Sequence, residues 1–216
     1  MTALALDLIC DDQKEVLIGH LRFRLLHACP VDDVADRVQC PSIMDRMTAN
    51  GYASMREYLH ACAAADLNGS SLTLVVFDAD RPVGVARLKR RGGEGMETAT
   101  WLHHDYQGCG INAICKTVQW HLASAMGMPL FASVFVGNHR SIAAMRKRWP
   151  DARPVVREER TPHGKPKLML VWTMRQAPAG GHDLTEAQRL GLDLMLASEP
   201  VMLLATNAPL DETPAR

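Results

Sequence analysis

The residues Gln107-Gly108-Cys109-Gly110-Ile111-Asn112 set two glycines against the start of a helix, a pattern suited to holding an anion. Upstream, Trp101 and Leu102 read as the end of a half-buried strand and His103-His104-Asp105 as a polar turn. Downstream, Ile111, Ile114, Cys115, Val118, Leu122 and Met126 recur at the spacing of an amphipathic helix. The first N–H groups of such a helix have no intrahelical partner, and its dipole adds roughly half a positive charge there. Gly108 and Gly110 allow the backbone to approach a ligand that a Cβ would hold off. A phosphate-bearing ligand is the chemistry this stretch implies.

These residues need a strand before them and a packed helix after them, and the remaining chain supplies a sheet. Residues 1–19 read as an N-terminal extension whose pattern does not decide between strand and helix. Residues 20–26 alternate apolar and basic, which predicts the first strand. A helix is expected over 31–38, broken by Pro41-Ser42, with a further short turn over 44–50. Ser54, with Glu57 three residues on, predicts a capping box for a helix reaching about Asp66. Residues 72–77 and 83–88 predict a hairpin, and 96–102 the strand leading into the glycine loop. The central helix ends at Gly127 and is followed by a strand over 130–136 and a helix over 141–148. Strands over 155–161 and 167–173 flank a Pro-His-Gly-Lys-Pro turn.

After Gln176, Ala177-Pro178-Ala179-Gly180-Gly181 reads as a linker. Asp183 is expected to cap an amphipathic helix carrying Leu184, Ala187, Leu190, Leu194 and Met195, with a short apolar run over 201–205 and a disordered end. That tail is expected to pack on its own domain, with a second copy of the chain as the alternative. The order of elements predicts an α/β (α+β) fold. Its segments are 1–19, 20–175 and 176–216.

The glycine stretch resembles the Q/R-x-x-G-x-G/A acetyl-CoA pyrophosphate loop of the GNAT superfamily of N-acetyltransferases, with Asn112 in the sixth place. Gly110, Ile111, Asn112 and Lys116 are similar to a run found in the subgroup of the ribosomal-protein alanine acetyltransferases. Asn138-His139-Arg140-Ser141 resembles that subgroup's N-x-R-S segment. The resemblance spans about residues 20–175. It implies a mixed, mostly antiparallel sheet flanked by helices, and acetyl transfer from acetyl-CoA to a primary amine: a protein N-terminus, an amino acid or a small amine.

Under that resemblance Leu102 and His103 would hold the pantetheine arm and polarise the thioester. Gln107, Gly108, Cys109, Gly110, Ile111 and Asn112 would take the pyrophosphate, and Asn138 and Ser141 would contact the pantetheine. Asn138 as a turn residue and Ser141 as a helix cap are the plain structural alternatives. Glu97, where similar sequences often carry an acid, is the first candidate base; with an ordinary pKa near ~4.3 it needs burial or a water relay. A solvent-facing strand glutamate is the alternative. His103 is the second candidate, since imidazole titrates near ~6.5, and an ordinary turn residue is its alternative. Met145 stands where many members of the superfamily have a Tyr general acid, and Arg148-Trp149 where Leu-Gly commonly ends the helix. No Cys or Ser sits in a nucleophile–base arrangement, which favours direct attack in a ternary complex. The alternatives are a CoA- or partner-binding protein without catalysis, and a transferase using a longer acyl-CoA or an aminoacyl-tRNA.

With 24 Lys and Arg against 24 Asp and Glu, nothing in the overall charge points to nucleic acid or an acidic membrane. Two basic clusters (Arg87, Lys89, Arg90, Arg91 and Arg140, Arg146, Lys147, Arg148) are either solvated surface or groups near phosphates. The six cysteines show no CxxC and read as reduced residues of a cytoplasmic protein. Nine histidines show no ligand spacing, and His103 and His104 would point to opposite sides of an extended strand, so no metal is expected. No basic-apolar leader opens the sequence, and no apolar run has the length of a bilayer span.

Overall fold

The computed structural model describes residues 15–41, 43–44, 51–160, 166–180 and 182–197. Its strands are β1 (Glu15–Ile18), β2 (Leu21–Leu25), β3 (Ser71–Asp78), β4 (Arg81–Arg90), β5 (Met96–Leu102), β6 (Leu130–Phe135), β7 (Val155–Arg160) and β8 (Pro166–Met174). They form one 8-stranded sheet in the order β1-β2-β3-β4-β5-β6-β8-β7. Neighbours are antiparallel except β5 and β6, which run parallel. The flanking helices are α1 (Val31–Val38), α2 (Met55–Leu67), α3 (Ile111–Ala125), α4 (His139–Arg148) and α5 (Glu186–Ala197). This is the mixed, mostly antiparallel α/β architecture with a C-terminal helix that the sequence predicts.

α1 and α2 cover one face of the sheet, where Val34, Val38, Met55 and Leu59 pack with Val75 and Val85. α3, α5 and the buried side of α4 cover the other, against Leu74, Val76, Ala86 and Leu88. Both faces are therefore dry, which is why β3 reads as a nearly unbroken apolar run. α2 starts as its capping box predicts: Glu57 N donates to Ser54 Oγ at 3.0 Å. The return bond goes to Ala53, whose N–H donates to Glu57 Oε2 at 2.6 Å.

Three sequence readings change. Glu15–Ile18, within the undecided extension, is an edge strand paired with β2. The stretch read as one strand over 20–26 is β2 followed by a 3-10 turn at Leu26–Ala28. α5 is capped by Thr185 rather than Asp183. Gln188 N donates to Thr185 Oγ1 at 3.2 Å and Thr185 N to Gln188 Oε1 at 3.0 Å, a reciprocal pair that Asp183 cannot make from its position.

The apolar stripe of α5 turns accordingly: Leu192 and Met195 are buried while Leu190 is exposed. α5 docks on its own chain. Gln188 Nε2 donates to the Leu17 carbonyl at 3.1 Å, and His121 Nε2 lies 2.8 Å from Asp193 Oδ1. The readings for 45–50, for most of the turn between β7 and β8 and for 201–216 lie outside the described residues.

Candidate active site

β5 and β6 are hydrogen-bond neighbours only at Met96↔Leu130 and Glu97↔Phe131. Beyond Glu97 each strand keeps its antiparallel partner, β4 for β5 and β8 for β6, but the two part from each other. A wedge opens between them toward the carboxyl end of β5, where the glycine loop and the N-terminus of α3 lie. It widens into a cavity of about 1260 Å³. That exceeds the roughly 300–1,000 Å³ of common small-molecule pockets and has room for an extended ligand. The walls come from β5 (Thr98 to Leu102), β6 (Ala132 to Phe135), the loop and α3 (Gln107, Gly108, Asn112, Lys116), and α4 with its approach (Asn138, Arg140, Ser141, Met145).

The mouth is built for an anion. Gly108 and Gly110 hold φ of 90° and 86°, a region that only glycine enters without strain. Gly110 is the N-cap of α3. A Cβ added at either would meet no atom within 4 Å, so the space in front of the loop is open. Gln107 ties this mouth together: its Nε2 donates to the Leu102 carbonyl at 2.8 Å, and its Oε1 accepts from Arg140 Nη1 at 2.8 Å. Asn138 caps α4 by accepting from Ser141 N at 3.2 Å. Two helix N-termini and the Arg140 guanidinium thus meet at one opening, all positive in sign.

Of the residues singled out for the donor, Leu102, Gln107, Gly108, Asn112, Asn138 and Ser141 line the cavity. Asn138 is the helix cap and Ser141 the residue it caps, which reverses the plain alternative. Ile111 is buried and anchors α3 in the core, while Cys109 is exposed, its Sγ 3.8 Å from the Asp105 carbonyl. Neither these two nor Gly110 lines the cavity.

The two candidate bases are placed elsewhere. Glu97 lies at the closed end of the wedge, outside the cavity lining, with Oε1 3.6 Å from Arg91 Nη1. Arg91 also reaches Glu94 at 3.1 Å and Glu159 at 3.7 Å. His103 starts the 3-10 turn His104–Tyr106, where its Nδ1 accepts from Asp105 N at 3.4 Å. Burial, then the neighbouring His104, lower its pKa, partly offset by Asp105. Its side chain does not line the cavity.

The turn also folds the two imidazoles to one side, 4.3 Å apart, instead of opposite sides as an extended strand would. With Cys40 they bring three donor atoms within 4.8 Å of one another.

The basic clusters divide. Arg140 and Arg148 line the cavity, whereas Arg146 and Lys147 face solvent. Strand alternation scatters the other run: Arg87 donates to Ser71 Oγ, Arg90 to the Gly69 carbonyl and Arg91 to its carboxylates. A further group emerges that the sequence shows only as part of a motif. Lys116 and Gln119 of α3 meet Thr98 and Thr100 of β5 in a buried polar knot at the cavity wall. The signal was there: two polar residues three apart at the edge of an apolar stripe, facing a Thr-x-Thr on one strand face.

The described residues contain no helix long and apolar enough to cross a membrane. The model of the acetyltransferase (GNAT) domain matches residues 20–148, more than half of the chain. The chain belongs to this family of acetyltransferases. No curated protein matches its sequence significantly. Among solved structures it resembles a Vibrio cholerae protein assigned as a ribosomal-protein-serine acetyltransferase, with 16% identity, a TM-score of 0.60 and coverage of 74% of this chain and 96% of that one. RimL, a ribosomal L7/L12 alpha-N-protein acetyltransferase, matches at 14% identity and a TM-score of 0.55, over 73% of this chain and 91% of its own. YncA of Salmonella typhimurium, solved with its cofactor acetyl-CoA, matches at 15% identity and 0.53, over 77% and 100%. At these identities the likeness is one of fold.

Proposed function

We propose that this protein transfers an acetyl group from acetyl-CoA to a primary amine by direct attack within a ternary complex. The observation that carries the reading is the continuity of one cavity from the positive mouth at Gln107, Gly108 and Asn112 into the wedge between β5 and β6. Phosphates fit at the mouth, where glycine backbone, two helix N-termini and Arg140 converge. A slender arm fits the wedge, whose unpaired strand edges offer backbone N–H and C=O groups to its amides. The reacting carbonyl is then held and oriented for attack, with most side chains serving position rather than covalent chemistry.

The acceptor class is a protein N-terminus, an amino acid or a small amine. The likeness in fold to ribosomal-protein acetyltransferases favours the first. Residues 20–175 are the proposed acyltransferase domain, with α5 of the 176–216 segment packed against β1 and α3. The cytoplasm is the proposed location, in keeping with five cysteines that are thiols rather than disulfides among the described residues.

The test is CoA release from acetyl-CoA in the presence of peptides with free Ser or Ala N-termini, free amino acids and small amines, with the product identified by mass. The expected result is an acetylated amine from at least one class. CoA release without any acetylated amine would remove the reading.

A further inference from the structure

Lys116 lies in the second turn of α3 with its ammonium buried at the cavity wall. Nζ donates to Thr98 Oγ1 at 2.6 Å, Thr100 Oγ1 at 3.1 Å and Gln119 Oε1 at 3.0 Å. Gln119 is itself fixed, its Nε2 donating to the carbonyls of Arg87 and Ala99 at 2.9 and 2.8 Å. All three acceptors are neutral. The titratable group acting on Lys116 from its own helix is the Cys115 thiol, which burial pushes up to about 12 and which is therefore uncharged at neutral pH. From β5 Lys116 faces the hydroxyls of Thr98 and Thr100 and from its own helix the Gln119 amide, and among the described residues no carboxylate acts on it. A buried cation without a counter-ion is costly, and such a group is a candidate for use in chemistry.

The geometry says where that use falls. The wedge closes at Glu97, so Thr98 is its apex. About 13 Å of strand separates Thr98 from Leu102, which is tied to the mouth by Gln107. A donor with its phosphates at the mouth and its arm in the wedge brings its sulfur toward the apex, beside Thr98 and the Lys116 ammonium. Met145, on the wall contributed by α4, has no proton to give.

We infer that Lys116 supplies the positive charge and the proton for the thiolate that leaves the acyl donor, an assignment that rests on the acetyl-transfer reading above. The amine nitrogen attacks the acetyl carbon; the C–N bond forms and the C–S bond breaks, its electron pair going to sulfur. A proton passes from Nζ to that sulfur, giving the thiol. The amine's surplus proton goes to water, and neutral Lys116 recovers one from water. Burial lowers Lys116 to about 8, near the ~8.5 of an ordinary thiol, so the transfer is close to balanced.

The test needs no acceptor. Free CoA is bound to the wild-type protein, to Lys116→Met and to Lys116→Gln, and its thiolate absorbance is followed against pH, with protein alone subtracted. A cation beside the sulfur is expected to lower the thiol midpoint in the wild type by about one pH unit or more relative to both variants. Equal midpoints would overturn the assignment while leaving the donor site intact. Failure of CoA to bind the wild type would remove the acetyl-transfer reading and this inference with it. Lys116→Gln keeps a hydrogen-bonding group, so it serves if the methionine variant does not fold. With an accepted amine, kcat in either variant is expected to fall by about 10²–10⁴ with little change in KM.

Discussion

At its first two residues β5 is hydrogen-bonded on both sides, to Lys89 and Arg90 of β4 and to Leu130 and Phe131 of β6. From Thr98 onward it is paired with β4 alone, and its other edge faces the cavity. The ionisable groups follow the same division. At the closed end Glu97 is met by Arg91, a cation shared with Glu94 and Glu159, so the carboxylates have a guanidinium partner within the protein and are partly solvated. At the open end Lys116 is buried among neutral acceptors, and among the described residues no carboxylate acts on it. One strand thus carries a closed end, where carboxylates meet a guanidinium, and an open end, where a buried ammonium meets only hydroxyls and an amide among the described residues.

The largest expected effect comes from forcing the closed end apart. Gly95 has φ of 144°, and a Cβ there would lie 2.4 Å from the Pro129 carbonyl oxygen and 2.9 Å from the Phe131 ring. Gly95→Val is expected to cost about 2–4 kcal/mol in urea unfolding, and an unchanged midpoint would mean the end is not tightly closed.

The open end is expected to show in the pH dependence of stability. Lys116 falls from 10.5 to about 8 on folding, so the unfolded chain binds more protons between those values and stability rises with pH. Cys29, Cys62 and Cys115, raised from 9.0 by burial, act in the opposite direction and already do so between pH 8 and 9. The Lys116 contribution is therefore isolated by comparing the wild type with Lys116→Met. Between pH 8 and 9 the wild type is expected to gain up to about 1 kcal/mol relative to Lys116→Met, and parallel pH profiles for the two would contradict the buried ammonium.

Glu97→Gln sharpens the contrast. Loss of a half-solvated ion pair is expected to cost at most about 1 kcal/mol. Turnover should stay within a few-fold of wild type; a fall of ~10²–10⁴ would restore Glu97 as the base. The smallest effect is at His103. Its lowered pKa means the folded protein favours the neutral ring, so stability is present above about 6.5 and declines as pH falls toward the folded value. His103→Asn should flatten that limb, as read from thermal midpoints between pH 5 and 7.

Much of this division was legible in the chain. The helical recurrence from Ile111 to Leu122 and the strand pattern of 96–102 rest on local periodicity, which burial on a single core enforces. The glycine loop was legible for the same reason, since positive φ at Gly108 and Gly110 is a local demand. What sequence hides is partnership across the fold. Arg87, Arg90 and Arg91 look like one basic patch, yet alternation and distant partners at Ser71, Gly69 and Glu159 make them three separate ties. Lys116 and Gln119 stand three apart at the edge of an apolar stripe, but only the fold brings Thr98 and Thr100 of β5 against them. The change of cap from Asp183 to Thr185 turned on a side chain three residues downstream, Gln188.

The central claim is that the cavity opening at the N-terminus of α3 holds the acyl donor. Calorimetric titration with acetyl-CoA, on the wild type and on Gly110→Glu, tests it most directly. One site per chain is expected in the wild type, in the ~1 μM–1 mM range ordinary for enzyme substrates. Binding should weaken at least about tenfold, or ~1.4 kcal/mol, once a strained, anionic side chain stands in the loop. No binding by the wild type, or equal binding by Gly110→Glu, would contradict the assignment.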